Sequence, residues 1–321
     1  MALSKTLNEG SRNVLINGNF NVWQRGTSLA TAGFITDRWR STTGLNGAMT
    51  ISRQPFTLGQ TDVPNNPKYF FRHAQTTAHT NTGYNHDRTR IESVETLAGK
   101  VCILTWYMKA DASRTIAVRR IQNFGTGGSP SASVDTQILA SQAITTSWAK
   151  YTLKFTMPSI SGKTIGTANN DYVEIGFDYG AEANNTYTID IAQVQLEANL
   201  AATPFEHRSY GEELALCQRY YETAGRGIMG GSYSATQWVG AWNFAVPKRA
   251  SPTLTVPAVV TVHEPSSATY AQSSVSIVAQ YPEATKFSGI GILLGNFSGM
   301  TAFRPAEVYL PDKAFVIDSE L

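Results

Sequence analysis

The chain has 321 residues and a mass of 34.9 kDa, which favours two domains and a sizeable buried core. Its 26 Lys and Arg residues nearly balance 24 Asp and Glu residues, so it lacks the basic excess of a nucleic-acid-binding protein or of a protein drawn to anionic lipid. No apolar run reaches the roughly 18 residues of a membrane span and the first residues do not resemble a secretory signal, so we expect neither membrane insertion nor export by that route.

Charged residues make up 16% of the chain, against about 25% in an average globular domain. Thr, Val, Ile and aromatic residues are frequent, and these side chains suit the half-buried surface of a pleated sheet. The sequence therefore predicts an all-β protein. We expect a β-sandwich over residues 1–207, a single connecting α-helix over 208–225 and a smaller C-terminal β-sandwich over 226–321.

In the first domain, alternating segments are separated by turn clusters of Gly, Asn, Ser and Thr, a pattern typical of short strands. The clearest alternation places Cys102, Leu104, Trp106 and Met108 on one face, so one face of that sheet is expected to be buried. Eight strands are predicted: Met49 to Gln54, Tyr69 to Gln75, Thr89 to Val94, Lys100 to Ala110, Thr115 to Asn123, Trp148 to Met157, Tyr172 to Tyr179, and Tyr187 to Glu197.

A single helix is predicted over Tyr210 to Ala224. Ser209 and Glu212 have the spacing of a capping box, in which each side chain accepts a hydrogen bond from the backbone amide of the other residue. An apolar stripe at helical intervals follows, formed by Leu214, Cys217, Tyr220 and Tyr221. We expect this stripe to pack the two domains together or to form an axial contact between subunits. A role confined to packing within the chain is equally open.

A second alternating block follows the helix and predicts a smaller β domain. Trp238 and Trp242 lie four residues apart with Gly240 between them, so they share one face. A sandwich or trimer core explains this pair better than a ligand site. The predicted strands are Gln237 to Val246, Thr253 to Val262, Val275 to Gln280, Gly289 to Leu294, Glu307 to Leu310, and Ala314 to Ile317.

The sequence contains no familiar catalytic or metal-binding motif. Cys102 and Cys217 are isolated, so we interpret both as packing residues. The five histidines lack zinc-ligand spacing, and those between His79 and Asp87 fall in a polar segment that reads as a solvated loop. We therefore predict no catalytic residue, no metal and no cofactor. One open alternative is a glycosidase-like pair of carboxylates, for which Glu92 and Glu197 are the candidates.

Several strings of residues carry a resemblance to a known family. They are Asn17 to Gly26, Thr36 to Trp39, Arg90 to Glu92, Gln193 to Glu197, Ala202 to Glu206, and Glu212 to Tyr221. In this order they resemble a family of bacteriophage virion proteins, described as tail-fibre or tail structural proteins. The ending Ile317 to Leu321 is similar as well.

The resemblance implies that the first domain is a jelly roll like those of galactose-binding domains and carbohydrate-binding modules. It implies a non-enzymatic virion component, such as a tail fibre, that helps to attach the particle to the host surface through multivalent contacts. A homotrimer, contact with other virion proteins and with host-surface glycan, and a location on the extracellular particle follow from the same resemblance. Related jelly rolls hold a structural calcium ion, but Asn21 and the segment Asp190 to Gln193 lack the acidic pattern, so no metal is expected here.

Sugar recognition requires an aromatic face and several polar groups that bond the ring oxygens. The segment Thr76 to Arg88 and nearby strand residues offer such groups, and the candidates are Tyr84, His86, Trp106 and Tyr107. Two further hypotheses stay open beside a virion attachment protein. One is a dedicated glycan-binding module for host polysaccharide, and the other is a capsule depolymerase with two carboxylates about 5 to 10 Å apart.

Overall fold

The computed structural model describes residues 12–81, 83–180, 185–224, 227–256, 260–265, 269–272, 276–282, 289–309 and 315–321. The chain divides into two compact units, residues 1–213 with Leu321 and residues 214–320. This division falls inside the helix that the sequence predicts as a separate connecting segment. Among the described residues, no helix has the length and apolar character needed to cross a membrane.

The first unit is a β-sandwich of two antiparallel six-stranded sheets. The first sheet has the order β1-β4-β5-β12-β7-β10, with strands Ser28–Leu29 (β1), Met49–Pro55 (β4), Tyr69–Gln75 (β5), Tyr187–Ala198 (β12), Val101–Ala110 (β7) and Ala149–Thr156 (β10). The second sheet has the order β2-β3-β6-β11-β8-β9, with strands Gly33–Phe34 (β2), Trp39–Thr43 (β3), Asn85–Glu92 (β6), Tyr172–Asp178 (β11), Arg114–Asn123 (β8) and Val134–Ile144 (β9). The predicted all-β class with a jelly-roll-type sandwich is confirmed.

The core of the first unit lies between its two sheets. Leu104, Trp106 and Met108 of β7 belong to the same buried cluster as Ile175 and Phe177 of β11. The alternation predicted for this strand is therefore confirmed, because its apolar face is covered by the second sheet. The same cluster contains Trp23 and Trp39.

The Asn17-Gly18 turn is tied down by the side chain of Asn17, which has a positive φ of 57°. The side-chain oxygen Oδ1 of Asn17 accepts hydrogen bonds from the backbone amides of Asn21 and Val22, both at 3.0 Å. Its amide nitrogen donates to the backbone oxygen of Val22 at 2.9 Å and to the Thr36 hydroxyl at 2.9 Å. The turn thereby places Phe20 and Val22 in buried positions.

The segment that follows β12 is hydrogen-bonded to the Asn17 turn and to the residues before it. Glu206 accepts hydrogen bonds from the amides of Arg12 and Asn13, and Glu213 accepts from the amide of Asn17 at 2.5 Å. Arg208 donates to the backbone oxygen of Leu15 at 3.0 Å and pairs with Glu213 at 3.2 Å. Glu206, Glu213 and Asn17, which belong to three of the strings that carry the family resemblance, thus join one hydrogen-bonded network in the first unit.

The second unit contains a seven-stranded and a three-stranded antiparallel sheet. The larger sheet has the order β18-β17-β21-β14-β15-β20-β19, with strands Thr269–Gln272 (β18), Val260–His263 (β17), Arg304–Tyr309 (β21), Gly227–Ser234 (β14), Gln237–Asn243 (β15), Gly289–Gly295 (β20) and Ser276–Pro282 (β19). The smaller sheet, β13-β22-β16, contains Tyr221–Thr223 (β13), Val316–Asp318 (β22) and Thr253–Thr255 (β16). Trp238 and Trp242 are buried in one cluster with residues of both sheets, which confirms their interpretation as core residues.

The helix, α1, spans Tyr210–Gln218 and is shorter than predicted. Its capping box is confirmed, because the Ser209 amide donates to the Glu212 carboxylate at 2.9 Å and the Glu212 amide donates to the Ser209 hydroxyl at 3.2 Å. The predicted continuation to Ala224 is wrong. The chain instead enters β13, whose backbone pairs with β22, and this long-range pairing outweighs the local helical pattern.

The apolar stripe predicted for the helix is also wrong, because the four residues do not form one apolar face of α1. Apolar and polar residues are not segregated on opposite faces of α1, and Tyr220 and Tyr221 lie beyond its end. Cys217, Tyr220 and Tyr221 are buried, whereas Leu214 is partly exposed. Their predicted role in a contact between domains or subunits stays a prediction.

Candidate functional site

The outer face of the second sheet carries a regular array of charged side chains. Along β6, the core-facing residues alternate with outward-facing ones, as the two-residue period of a strand requires. The strand register then places Asp178, Gly176 and Glu174 of β11 beside successive outward residues of β6. Arg119 of β8 lies on the other side of Gly176. We call this surface the polar face, and its charged and polar members are Arg40, His86, Arg88, Arg90, Arg119, Glu174 and Asp178.

Glu174 is fully buried beneath two arginines of the polar face. Its carboxylate accepts from Arg88 Nη1 at 3.0 Å and from Arg90 Nε at 2.9 Å. Charge-assisted bonds of this kind are stronger than neutral ones and hold the planar guanidinium groups in fixed orientations. Glu174 therefore fixes the positions of both guanidinium groups on the polar face.

Gly176 lies between Arg88 and Arg119 in the array. A Cβ atom at this position would lie 2.8 Å from Arg88 Cβ and 2.8 Å from the backbone oxygen of Asp87. The glycine therefore permits close packing of the strands at this position.

His86 is held from two sides. Its Nε2 lies 2.8 Å from the Asp178 carboxylate, and Arg119 Nη1 lies 2.7 Å from both ring nitrogens. Burial raises the pKa of Asp178, but the hydrogen bond from His86 and the nearby positive charge lower that pKa further, so the net shift is downward.

Tyr84 forms an aromatic platform at the His86 end of the polar face. Its ring stacks on that of His86 with 4.8 Å between the ring centroids, and 49% of the residue is exposed. The backbone oxygen of Tyr84 accepts from the amide of Gly44 at 2.9 Å, which fixes the start of β6. The ring also lies near Gly44, where a Cβ atom would be 3.2 Å from Tyr84 Cε1. A half-exposed aromatic ring suits stacking against the C–H groups of a sugar.

The loops beside Tyr84 are joined by reciprocal hydrogen bonds. Asn46 donates from its side chain to Thr80 at 2.9 Å, and its amide donates to the Asn81 side chain at 3.0 Å. The Asn81 side chain in turn donates to the backbone oxygen of Gly44 at 2.8 Å. These bonds hold the two loops together, so the platform rests on an ordered support.

The structure brings together two of the four predicted sugar-binding residues. Tyr84 and His86 lie side by side on the polar face. Trp106 is 1% exposed, and its ring packs 5.6 Å from that of Tyr151 and 5.4 Å from that of Phe177 in the core. Its prediction as an exposed group is wrong, because its strand turns this residue toward the opposite sheet.

Tyr107 points the other way from Trp106 and therefore lies on the outer face of the first sheet. It packs there against a small cluster around Val63, Phe70 and Ala192. Tyr107 and Tyr84 thus belong to opposite sheets of the sandwich and cannot contact one sugar residue together.

The predicted solvated loop around the histidines is also wrong. Residues from Asn85 onward form β6, and His79 and His86 are buried. His73 is buried as well, with its Nδ1 3.0 Å from the carboxylate of Asp87, which also binds Ser41 and Tyr179. Core hydrogen bonding rather than solvation explains these residues.

The sequence reasoning missed most of the polar face. Arg88 and Arg90 are two residues apart, the spacing of charges on the exposed face of a strand. This spacing could have identified β6 as a strand with a charged outer face. Their partner Glu174 lies more than eighty residues away along the chain. Only the strand register brings them together.

The candidate carboxylate pair does not form a catalytic site. Glu92 ends β6 in the second sheet, whereas Glu197 lies in β12 of the first sheet. Glu197 is buried, and its carboxylate accepts from the Thr203 amide at 2.8 Å and from the Thr203 hydroxyl at 2.9 Å. A retaining or inverting glycosidase needs both carboxylates in one cleft. Glu92 and Glu197 are therefore not suited to be the catalytic pair of a depolymerase.

The acidic residue considered for calcium has protein partners instead. Asp190 accepts from Arg72 Nε at 2.7 Å and from Arg72 Nη2 at 2.8 Å. Within the described part of the chain, no group of three or more His, Cys, Asp or Glu residues is placed to hold a metal ion.

Comparison with known proteins shows fold-level likeness alone. No family model and no curated protein sequence matches the chain. Among solved structures, the enzymatically active domain of tailspike protein 4 from bacteriophage CBA120 is 13% identical with a TM-score of 0.37, covering 58% of this chain and 21% of the tailspike. This chain thus spans about a fifth of that tailspike.

Two solved carbohydrate-binding modules are similar at the same level. The N-terminal cellulose-binding domain of β-1,4-glucanase C from Cellulomonas fimi is 14% identical with a TM-score of 0.34, covering 56% of this chain and 98% of the domain. A family 11 carbohydrate-binding module from Clostridium thermocellum is 13% identical with a TM-score of 0.30, covering 55% of this chain and 97% of the module. At such scores the likeness assigns no function to this chain.

Proposed function

We propose that the first unit is a non-enzymatic glycan-binding module that binds a polysaccharide across the polar face. The observation that carries this proposal is the half-exposed Tyr84 ring, stacked on His86 and followed along β6 by Arg88 and Arg90. The distance along β6 from His86 to Arg90 is about 13 Å for a strand rise of about 3.3 Å per residue. That length accommodates more than one linked monosaccharide.

The chemistry of the face suits sugar hydroxyl groups. Guanidinium groups donate hydrogen bonds in a planar fork, and the carboxylates of Glu174 and Asp178 are accepting groups that orient these donors. A few fixed polar groups beside an aromatic surface are the usual composition of a small-ligand site. The polar face has this composition, with its donors held by buried partners.

The test is a glycan array followed by calorimetry on the glycans that bind. We expect Tyr84→Ala to weaken binding at least roughly tenfold, since stacking and burial of an aromatic ring contribute on the order of 1–2 kcal/mol. Tyr69→Ala, which removes a partly exposed tyrosine from the first sheet, is the matched control and should bind normally. A flat array, or equal losses in the two variants, would contradict the proposal. The absence of new reducing ends after long incubation tests the non-enzymatic part.

We further propose that the protein acts on a phage particle as a tail fibre or another appendage, as a homotrimer in contact with other virion proteins and with host-surface glycan. The support is the family resemblance of the strings from Asn17 to Tyr221. Negative-stain imaging of intact particles labelled with an antibody against this chain tests the location. Labelling absent from purified particles would overturn it.

A further inference from the structure

We propose that the polar face binds a glycan carrying an oxyanion, a carboxylate or a phosphate, at a cleft beside β2. This inference rests on the proposed glycan-binding function and adds the chemical class of the ligand. The cleft is lined by Phe34, Arg38, Arg40, Arg88, Arg90 and Leu321. Four guanidinium groups therefore border one small depression.

Arginine side chains outnumber acidic side chains at the cleft. No carboxylate side chain lines it; the buried Glu174 beneath it pairs with Arg88 and Arg90, and Leu321, the last residue of the sequence, places an oxygen 2.6 Å from Arg90 Nη1. Arg40 is exposed, and its described contact is with the ring of Phe34, 5.7 Å from the guanidinium carbon. Like charges gathered this closely repel each other, so an anion bound between them would be favoured by the net positive field.

Donors remain available in the cleft. Arg88 uses Nη1 for Glu174, while its Nε is buried without a hydrogen-bond partner. A buried N–H group left without an acceptor is costly, and such a group marks a position where an acceptor from a ligand or water is expected. Arg90 Nη1 already donates to the Leu321 oxygen at 2.6 Å, so the unpartnered donor shown in the cleft is Arg88 Nε.

The geometry favours an oxyanion over a hydroxyl group. A guanidinium fork matches the two oxygens of a carboxylate or phosphate with two parallel hydrogen bonds, and such bonds are about twice as strong as neutral ones. A neutral sugar would leave the charge of the cleft uncompensated. With Tyr84 stacked on one monosaccharide, the cleft lies within reach of an acidic substituent on a neighbouring one along β6.

The test uses matched polysaccharides and the full chain. The probes are polygalacturonate and its methyl ester, and phosphorylated mannan and the same mannan after dephosphorylation. We expect tight binding to at least one acidic polymer, loss of at least roughly tenfold for its neutral counterpart, and weakening with rising salt. Arg40→Gln should weaken acidic-polymer binding by a similar factor, and the exposure of Arg40 makes a folding defect unexpected.

The control is Arg53→Gln, which removes an arginine that stacks on Tyr69 at 4.3 Å on the first sheet. It should bind like the unchanged protein. Binding to neutral polymers that is indifferent to Arg40→Gln would overturn the oxyanion inference and leave the glycan-binding function standing. No binding to any of these polymers or to a broad glycan array would overturn both. Whichever acidic polymer depends on Arg40 identifies the oxyanion.

Discussion

Asp178 shows how a single residue can make the polar face sensitive to pH. Burial raises the pKa of Asp178, but the interaction with His86, the hydrogen bond from the Gly180 amide and the charge of Arg119 together outweigh it, so the pKa lies below its ordinary value of 3.8. A carboxyl group whose pKa is lower in the folded state stabilises that state. The full stabilisation is present when the pH is above the pKa of the unfolded state, and it is lost as the pH falls through the lower pKa of the folded state. The interaction should therefore operate at neutral pH and be lost in strong acid.

We expect Asp178→Asn to lower the urea midpoint of unfolding at neutral pH and to differ progressively less from the unchanged protein as the pH approaches about 2. Asp62→Asn removes one charge from an exposed loop and controls for the change in net charge. A difference for Asp178→Asn that stays constant across this range would contradict the assigned pairing with His86.

Gly240 permits the packing of Trp238 in the core of the second unit. A Cβ atom at Gly240 would lie 2.2 Å from the Trp238 ring and 2.9 Å from the backbone oxygen of Met229. We expect Gly240→Ala to destabilise the protein by about 1–3 kcal/mol, because a packed ring and a strand backbone cannot both move away. Chemical denaturation measures this loss.

Gly211→Ala is the matched control for that substitution. No atom lies within 4 Å of a Cβ at Gly211, which is in α1, and alanine favours a helix. Its stability should be unchanged or raised by up to about 1 kcal/mol. Equal effects of the two substitutions would show that the Trp238 contact does not determine the outcome.

Among the elements, the turn at Asn17 is held mainly by one side chain, that of Asn17. The Asn17 side chain satisfies two buried backbone amides and spans the loop to Thr36. We expect Asn17→Gly, which tolerates the positive φ, to cost at least about 2 kcal/mol, because those amides lose their acceptor. Thermal unfolding of the full chain reports the loss.

Asn21→Gly is the comparison for the Asn17 substitution. The Asn21 side-chain oxygen has no hydrogen-bond partner, so its removal should cost less than about 1 kcal/mol. If Asn21→Gly proves as destabilising as Asn17→Gly, the turn is held by something other than the Asn17 side chain.

Strands with large alternating side chains could be predicted from the sequence. Tyr69–Gln75 has the predicted bounds, and Val101–Ala110 differs by one residue. The strand Val134–Ile144 was missed, because this edge strand pairs with β8 alone and its small and polar residues show no clear alternation. Its place in the sheet is set by its neighbour rather than by its own pattern.

The candidate site was predictable only in part, for a related reason. Tyr84 and His86 lie two residues apart, so the sequence places them together. The pairing of His86 with Asp178 joins residues 92 positions apart and depends on the register of β6 and β11. Trp106 was misplaced because its aromatic character fits a core and a sugar platform equally well, and only its strand direction decides between them.

At the scale of the whole molecule, the second unit offers a surface suited to self-association. Val239 lies beside Gly231 and Leu293 on the outer face of the seven-stranded sheet, and Met229 lies on the same sheet. Met229, Tyr233 and Phe303 are more than half exposed. If the homotrimer proposed above forms, we expect this face to contribute to it, because burial of exposed apolar side chains favours association.

Self-association would convert weak single sites into strong attachment. Once one site is bound, binding at a second site in the same assembly becomes effectively intramolecular and can raise the overall affinity by about 10²–10⁴. We therefore expect binding to a densely coated polysaccharide surface to exceed binding to a short soluble oligosaccharide by such a factor.

Val239→Lys should abolish both the oligomer seen by light scattering and this enhancement, while affinity for the oligosaccharide stays unchanged. Leu58→Lys, at an exposed position of the first unit, should alter neither. A monomeric unchanged protein, or an oligomer that tolerates Val239→Lys, would show that this face does not join the subunits.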